Sequence, residues 1–383
     1  MLFEFATASR IFFGEGSIRG IGGYAAGFGS KVMIVTGSDP QRAQGVFDSL
    51  QESGLKNSLF SVSGEPTVSV IEEGVVAVRR EGCNVIIGVG GGSALDTAKA
   101  LAALTVNTGP VSRYLEVIGE GCKLTEPSLP CIAVPTTAGT GTEVTRNIVL
   151  SSPEHRVKVS LRSYFLLPQL AVVDPELTYT LPADITINTG MDAFAQLIEP
   201  FLSCRATPIT DALAREGIPR AIRALPRLFE DGGDKAARRD MAVASLFGGM
   251  ALANSGLGAV HGFAGPVGGM LGAPHGAVCA ALLAPVLKEN ILLAEKQENQ
   301  PVLERLTELA VLLTGQIDAA PMDGYQKIYD LTRFLNIGGL ATHGLTSQDF
   351  DEVIQKAKKS SSMKGNPVTM ENTSLETILK SAL

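Results

Sequence analysis

The stretch Val85-Ile-Ile-Gly-Val-Gly-Gly-Gly-Ser-Ala-Leu-Asp96, with the Ala- and Leu-rich segment that follows it up to Leu104, decides the fold. An apolar run leads into three consecutive glycines, and helix-forming residues follow directly. An apolar run without polar alternation is typical of a strand that is covered on both faces of a parallel sheet. The stretch therefore predicts a strand, a glycine turn and a helix, which is the repeating unit of an α/β domain.

Similar apolar runs lie on both sides of this stretch and predict further strands at 31–37, 58–64, 130–137 and 170–175. The segments 39–53 and 67–81 predict crossover helices, and 147–161 predicts a hairpin or extra strand pair. After Pro182 the strand-like runs stop and helical periodicity continues almost to the end. We expect an α/β domain with a mostly parallel sheet over residues 1–183, and an all-α domain over 184–383.

Composition limits the class of protein. The 383 residues are 45% hydrophobic and 19% charged with a net charge of −7, which excludes a disordered chain and disfavours a nucleic-acid partner. Five scattered cysteines and an N-terminus without a basic, apolar leader favour a reducing cytoplasm. The segment 241–287 has no charged side chain, but its glycines, prolines and polar residues favour buried core helices over a membrane span.

Two loops offer groups that can hold a phosphate. Glycines before a helix N-terminus let backbone N–H groups approach an anion, although a turn of this kind without a ligand is also common, and Ser93 with Asp96 resembles a capping box. The second loop, 135–145, contains glycines and hydroxyl side chains. Both loops follow strands of one predicted sheet, so they are expected to meet at the carboxyl ends of the strands, where open α/β sheets bind ligands.

A third group of residues has side chains that bind metals. Asp192, His261 and His275 lie in the apolar half of the chain. A carboxylate and two neutral imidazoles make a three-ligand set that leaves a position open for water or substrate. Each histidine can equally be a satisfied core residue, and separation along the sequence does not decide whether the three converge.

Four motifs occur in a fixed order: GGGSALDTAK at 90–99, PTTAGTGTEVT at 135–145, GMDAFAQLIEP at 190–200 and GAVHGFAGPVGGMLGAPHG at 258–276. With these motifs the chain resembles the iron-containing (group III) alcohol dehydrogenases of the dehydroquinate synthase-like superfamily. The resemblance implies an N-terminal dinucleotide-binding domain, a helical C-terminal domain and a divalent metal that faces the nicotinamide between them.

The resemblance also implies roles for individual residues. Asp192, His261 and His275 match three of the four metal ligands, and Gln196 stands at the place of the fourth. The residues that match cofactor-binding positions are Gly91, Gly92, Ser93, Asp96, Thr136, Thr137, Thr140, Asn147 and Lys158.

Three positions depart from the family pattern. Gln196 replaces a histidine, which implies looser metal binding or a three-ligand site. Gly265 replaces a second histidine near the nicotinamide, so no side chain is expected to act as acid or base, and proton transfer would use water or the cofactor ribose. Gly37 and Ser38 stand where an aspartate often follows the second strand, which favours NADP over NAD, with Ser38 and Arg42 as partners of the extra phosphate.

The resulting hypothesis is a hydride transfer between NADP or NAD and a small alcohol or aldehyde, assisted by iron or zinc. A cytoplasmic homodimer without a nucleic-acid or membrane partner is expected. The alternatives are a dehydroquinate-synthase-like lyase, a scaffold that has lost its metal, and, more remotely, a 2-His-1-carboxylate oxygenase.

Overall fold

The computed structural model describes residues 2–116, 118–152, 154–155 and 157–383. These residues form two compact units, one of Ala6–Thr180 and one of Leu181–Leu383 with the described residues before Ala6. The architecture confirms an α/β N-terminal domain with a parallel sheet and a helical C-terminal region. The boundary between 183 and 184, and the division of cofactor and metal binding between the two parts, stay predictions.

The strands belong to the N-terminal unit. In chain order they are β1 (Ile11–Phe13), β2 (Lys31–Thr36), β3 (Lys56–Ser61), β4 (Val85–Gly90), β5 (Cys131–Pro135), β6 (Asn147–Ser152), β7 (Val157–Arg162) and β8 (Leu170–Val173). Six of them form one sheet in the order β1-β8-β5-β4-β2-β3, and each neighbouring pair is parallel. The predicted hairpin is confirmed as the antiparallel pair of β6 and β7, whereas the three-residue β1 was not predicted.

Helices cover both faces of this sheet. They are α1 (Ile21–Ala26), α2 (Gln44–Glu52), α3 (Val68–Glu81) and α4 (Gly92–Val106). Because side chains alternate along a strand, Ile34 of β2 joins the core under α1 and α2, and Met33 joins the core under α3 and α4. From β2 the chain continues to β3 on one side and later to β4 on the other. The carboxyl ends of β2 and β4 therefore form a topological switch point, where open α/β sheets bind ligands.

The C-terminal unit consists of helices in the part of the chain that the structure describes. They are α5 (Ala183–Leu202), α6 (Pro208–Glu230), α7 (Lys235–Ser255), α8 (Ala259–Leu271), α9 (His275–Lys296), α10 (Gln300–Thr314), α11 (Pro321–Phe334), α12 (Phe350–Lys359) and α13 (Asn372–Ala382). Helix α5 packs extensively against α6, α7 and α9 and so lies at the centre of this unit. A residue on the inner face of α5 is therefore held rigidly among its neighbours.

One helix of this unit, α9, is long and apolar enough to span a membrane by length and composition. Most of its apolar window, 61%, is buried inside the protein, as expected for a core helix. Helices α7 and α8 pass the same test only as a pair, and they are bent by 99° at the break between them. Both observations agree with the interpretation of the uncharged segment as buried core helices.

Candidate functional site

The glycine loop after β4 and the hydroxyl-rich loop after β5 lie in contact, as predicted. A Cβ atom at Gly92 would lie 2.9 Å from Cγ2 of Thr140, and one at Gly91 would lie 3.3 Å from Cγ2 of Thr137. The two loops approach so closely that a larger residue at position 92 would push them apart. Thr136, the first residue after β5, is buried at the same edge of the sheet. The structure thus brings these two groups of predicted cofactor-binding residues together.

The beginning of α4 offers free backbone donors for an anion. Its N-cap is Gly91, and no described side chain caps the helix, so the capping box of Ser93 and Asp96 is a wrong prediction. Asp96 lies one turn further along, where its Oδ2 accepts a hydrogen bond from the backbone N–H of Val149 at 3.0 Å. Uncapped N–H groups and the positive end of the helix dipole suit a pyrophosphate. Asp96 thereby ties the first turns of α4 to β6.

Lys99 fixes the end of the hydroxyl-rich loop and the start of β6. Its side chain is 1% exposed, and its Nζ donates to the carbonyl oxygen of Thr142 at 3.1 Å, to Oγ1 of Thr145 at 3.0 Å and to the carbonyl oxygen of Asn147 at 2.7 Å. Burial lowers the pKa of Lys99 to about 8 in spite of the nearby Asp96 carboxylate. A buried cation with three oxygen partners ties α4 to the loop and to β6, a role that the sequence analysis did not assign to it.

The other predicted cofactor-binding residues lie at separate places in the N-terminal unit. Gly37 and Ser38 follow β2 directly, at the switch point. Asn147 begins β6, and Lys158 lies on β7, where its Nζ is 2.5 Å from Oε1 of Glu65. An ion pair of this kind is an ordinary structural role for a lysine. A role of Lys158 beside the cofactor stays a prediction.

The three predicted metal ligands converge. Asp192 on α5, His261 on α8 and His275 at the first position of α9 place their ligand atoms within 4.8 Å of one another, together with the sulfur of Cys279. Oδ1 of Asp192 lies 3.1 Å from Nε2 of His261 and 3.8 Å from Nε2 of His275. The question that the sequence left open is therefore answered by the fold.

A close approach of two helices makes this convergence possible. A Cβ atom at Gly276 would lie 2.1 Å from the carbonyl oxygen of Asn188 on α5, so only glycine fits there. The contact brings the first turn of α9 against the second turn of α5, one turn before Asp192. His275, the neighbour of this glycine, is thereby placed beside Asp192.

Glu199 holds His261 in a defined orientation. Its Oε2 is 2.5 Å from Nδ1 of His261, and its Oε1 accepts the backbone N–H of Val260 at 2.7 Å. A carboxylate partner fixes one proton on Nδ1, so that a metal can take the place of the proton that Nε2 shares with Oδ1 of Asp192 at 3.1 Å. The sequence analysis missed Glu199, although it lies seven residues after Asp192, two turns along the same helix face.

Gln196 lies on α5 one turn after Asp192 and is 4% exposed. Its Oε1 is buried and has no hydrogen-bond partner among the described residues. A buried polar atom without a partner is costly, and a cation in the cluster would remove that cost. The position thus fits the hypothesis of a weak oxygen ligand.

Electrostatics favour a cation in this cluster. Burial raises the pKa of Asp192, but His275 and His261 outweigh it and hold the pKa below its usual value. Burial lowers the pKa of His261, but the charges of Cys279 and Glu199 overcome it and hold the pKa well above 6.5. Buried anionic groups surround the imidazoles, so positive charge is favoured here, whether it is carried by protons or by a metal.

The spacing of these atoms suits a divalent ion. Two ligand atoms about 2.1 Å from an ion, at the tetrahedral angle, lie about 3.4 Å apart. The observed separations of 3.1 and 3.8 Å from Oδ1 of Asp192 to the two imidazoles bracket this value. The residues present therefore fit a metal.

Comparison with known proteins identifies the family. Residues 8–175 match the iron-containing alcohol dehydrogenase family, and residues 186–383 match the C-terminal part of the Fe-containing alcohol dehydrogenase family. Alcohol dehydrogenase 4 of Schizosaccharomyces pombe is 35% identical over 337 residues, covering 87% of this chain and 77% of the relative. The 4-hydroxybutyrate dehydrogenase of Cupriavidus necator is 36% identical over 332 residues, covering 85% and 84%.

Structural comparison agrees. A crystal structure of a 1,3-propanediol oxidoreductase superimposes with a TM-score of 0.93 at 31% identity and covers 100% of both chains. Two family matches that together span almost the whole sequence, and a shared fold over the full length, leave one assignment. The chain belongs to the iron-containing alcohol dehydrogenase family.

Proposed function

We propose that the chain is a metal-assisted, NAD(P)-dependent alcohol dehydrogenase that transfers a hydride between a nicotinamide and a small alcohol or aldehyde. The observation that carries this proposal is the convergence of Asp192, His261 and His275 from three different helices. The two loops after β4 and β5, which are in contact at the carboxyl end of the sheet beside the switch point, support the cofactor part of it.

The side chains at the site have two different roles, to hold the ion and to orient one of its ligands. Asp192, His261 and His275 hold the ion, and Glu199 keeps the proton on Nδ1 of His261 so that Nε2 stays available. When bound, a divalent ion supplies Lewis-acid stabilisation of the negative charge that develops on the alcohol oxygen. The side chain of His275 is 37% exposed, whereas that of Asp192 is buried, so the cluster can be reached by substrate from the side of His275.

The chain supplies no general acid or base at position 265. Gly265 lies on α8, one turn after His261, and a Cβ atom there would have no described neighbour within 4 Å. The open space can hold water, and we propose that water or the cofactor ribose carries the proton.

Cofactor preference is proposed to lie with NADP. Gly37 and Ser38 place no carboxylate directly after β2, where it would repel a 2′-phosphate, and the next carboxylate, Asp39, caps the following turn by accepting the backbone N–H of Gln41. Arg42 is partly exposed, and its Nη2 donates to Oγ1 of Thr180 at 3.2 Å, so its guanidinium has further donors to offer. NAD remains the second candidate.

The remaining expectations are also proposals. The ion is iron or zinc, the substrate is a small alcohol or aldehyde, and the protein acts in the cytoplasm as a homodimer without a nucleic-acid or membrane partner. The names of an alcohol dehydrogenase and of a 1,3-propanediol oxidoreductase among the similar proteins favour a small alcohol as substrate. The lyase alternative is not favoured, because it needs a basic phosphate-binding site that the uncharged segment 241–287 does not supply. The scaffold alternative is not favoured either, because the side chains that could hold a metal converge.

A substrate panel with two ligand variants tests the proposal. Cofactor reduction by small alcohols is followed by absorbance with NAD and NADP, for the wild type, Asp192→Asn, His275→Ala and the control His343→Ala. Because Lewis-acid stabilisation is worth several kcal/mol, turnover should fall by about 100-fold or more in the two ligand variants, with cofactor binding retained. Full turnover in both variants after metal removal would show that the metal has no part in the reaction.

A further inference from the structure

Cys279 lies inside the metal cluster, at a distance that suits a ligand. It is on α9 one helical turn after His275, so both side chains lie on the same face of the helix. Its side chain is fully buried, and its Sγ is 3.8 Å from Nε2 of His261. Its sulfur also lies within 4.8 Å of the ligand atoms of Asp192 and His275.

We propose that the Cys279 thiolate is the fourth protein ligand of the divalent ion, beside Asp192, His261 and His275, so that the alcohol oxygen of the proposed reaction would take a fifth position. This inference rests on the proposed metal site. In a tetrahedral site with a sulfur about 2.3 Å and a nitrogen about 2.1 Å from the ion, the two ligand atoms lie about 3.6 Å apart. The separation of 3.8 Å between Sγ of Cys279 and Nε2 of His261 therefore requires almost no movement.

Charge balance favours the thiolate over the other candidate, the amide oxygen of Gln196. A buried divalent ion with one carboxylate, two neutral imidazoles and an amide keeps a net charge of one within its own ligands, and the Glu199 carboxylate that offsets it lies one residue further out, behind His261. With a thiolate in place of the amide, two anionic ligands neutralise the ion. A buried charge is expensive when it is not paired, so the thiolate gives the more stable complex.

A thiolate also changes which metal is preferred. Sulfur is a soft ligand that suits zinc and its spectroscopic substitute cobalt, whereas oxygen ligands suit manganese and magnesium. An oxygen, two nitrogens and a sulfur therefore bias this site toward zinc. The loss of the imidazole at position 196 is offset by a sulfur from another helix.

Cobalt substitution tests the proposal without any measurement of activity. The full-length protein is stripped of metal and titrated with Co²⁺, as the wild type, Cys279→Ser, Gln196→Ala and the control Cys204→Ser, whose exposed thiol lies outside the cluster. The wild type and Cys204→Ser should show a near-ultraviolet sulfur-to-cobalt charge-transfer band at one equivalent, and Gln196→Ala should retain it. Cys279→Ser should bind Co²⁺ with its visible d–d bands and without the charge-transfer band.

Competition between metals gives a second measurement. The ratio of Zn²⁺ to Mn²⁺ affinity should fall by about tenfold or more in Cys279→Ser, since even outer-shell changes cost 10–100-fold in metal affinity. Binding of Co²⁺ without a charge-transfer band in the wild type would overturn the thiolate ligand and leave the metal site intact. Failure of the wild type to bind Co²⁺ or Zn²⁺ at all would overturn the thiolate ligand and the proposed metal site together.

Discussion

Replacement of Glu199 by glutamine tests how His261 is prepared for a metal. The carboxylate accepts two hydrogen bonds, from Nδ1–H of His261 and from the backbone N–H of Val260. Glutamine has nearly the same shape but only one acceptor oxygen, so one of the two donors must face an NH₂ group. If His261 loses its acceptor, its proton is no longer fixed on Nδ1 and the lone pair of Nε2 is no longer presented to the ion.

The size of the effect follows from the outer-shell role of Glu199. Loss of such a partner costs 10–100-fold in metal affinity, or about 1.4–2.7 kcal/mol. Competition with a chelator for Zn²⁺ measures this loss directly. Glu308→Gln is the matched control, because Glu308 pairs with Arg215 at the surface and its loss should change stability by no more than about 1 kcal/mol and leave metal affinity unchanged. Equal Zn²⁺ affinity in Glu199→Gln and the wild type would refute the orienting role.

Three further predictions concern other parts of the molecule. Lys99→Met should lower the free energy of unfolding by about 3–5 kcal/mol and weaken cofactor binding, measured by denaturant unfolding and cofactor titration. The control Lys356→Met, which removes an exposed ion pair, should lower it by about 0.5 kcal/mol, and equal losses of stability in the two variants would contradict the loop-anchoring role of Lys99. The pKa values of His261 and His275 lie above the usual 6.5. Protonation of these imidazoles therefore stabilises the metal-free protein fully below pH 6.5, and this stabilisation is lost as the pH rises through the raised pKa values. Because metal requires deprotonated ligands, the increase in Tm on adding Zn²⁺ should grow with pH above 6.5, and a pH-independent increase would count against these ligands. Ser38→Asp should lower kcat/KM with NADP by about tenfold and leave NAD nearly unchanged, and an equal effect on both would exclude position 38 from 2′-phosphate selection.

The sheet could be predicted from sequence because its strands are buried on both faces. The run before Gly91 is apolar at successive positions, and so are β2, β5 and β8, each of which was predicted. Strand β1 has only three residues at the sheet edge, too short for a periodic pattern. The prediction of a capping box was wrong because Ser93 and Asp96 have the spacing of a capping box, but the helix begins earlier, with Gly91 as its N-cap. The first N–H groups of the helix are therefore left open.

The metal cluster could be predicted only in part. Asp192 and His261 are far apart in sequence, and their approach depends on helix packing that no local pattern reveals; the resemblance to a known family supplied it. Cys279 was missed because a cysteine in an apolar helix is typical of an ordinary core residue, and Glu199 was missed because the family motif around Asp192 assigned it no role. The available signal was helical spacing: Glu199 lies two turns after Asp192, and Cys279 lies one turn after His275.

A metal titration of turnover tests the central claim most directly. Protein stripped by a chelator is mixed with increasing Zn²⁺ or Fe²⁺, and oxidation of a small alcohol is followed through cofactor absorbance. We predict no turnover without metal, a linear return that ends at one ion per chain, and no return in Asp192→Asn. Undiminished turnover in the stripped protein, or full recovery in Asp192→Asn, would contradict a metal held by Asp192, His261 and His275.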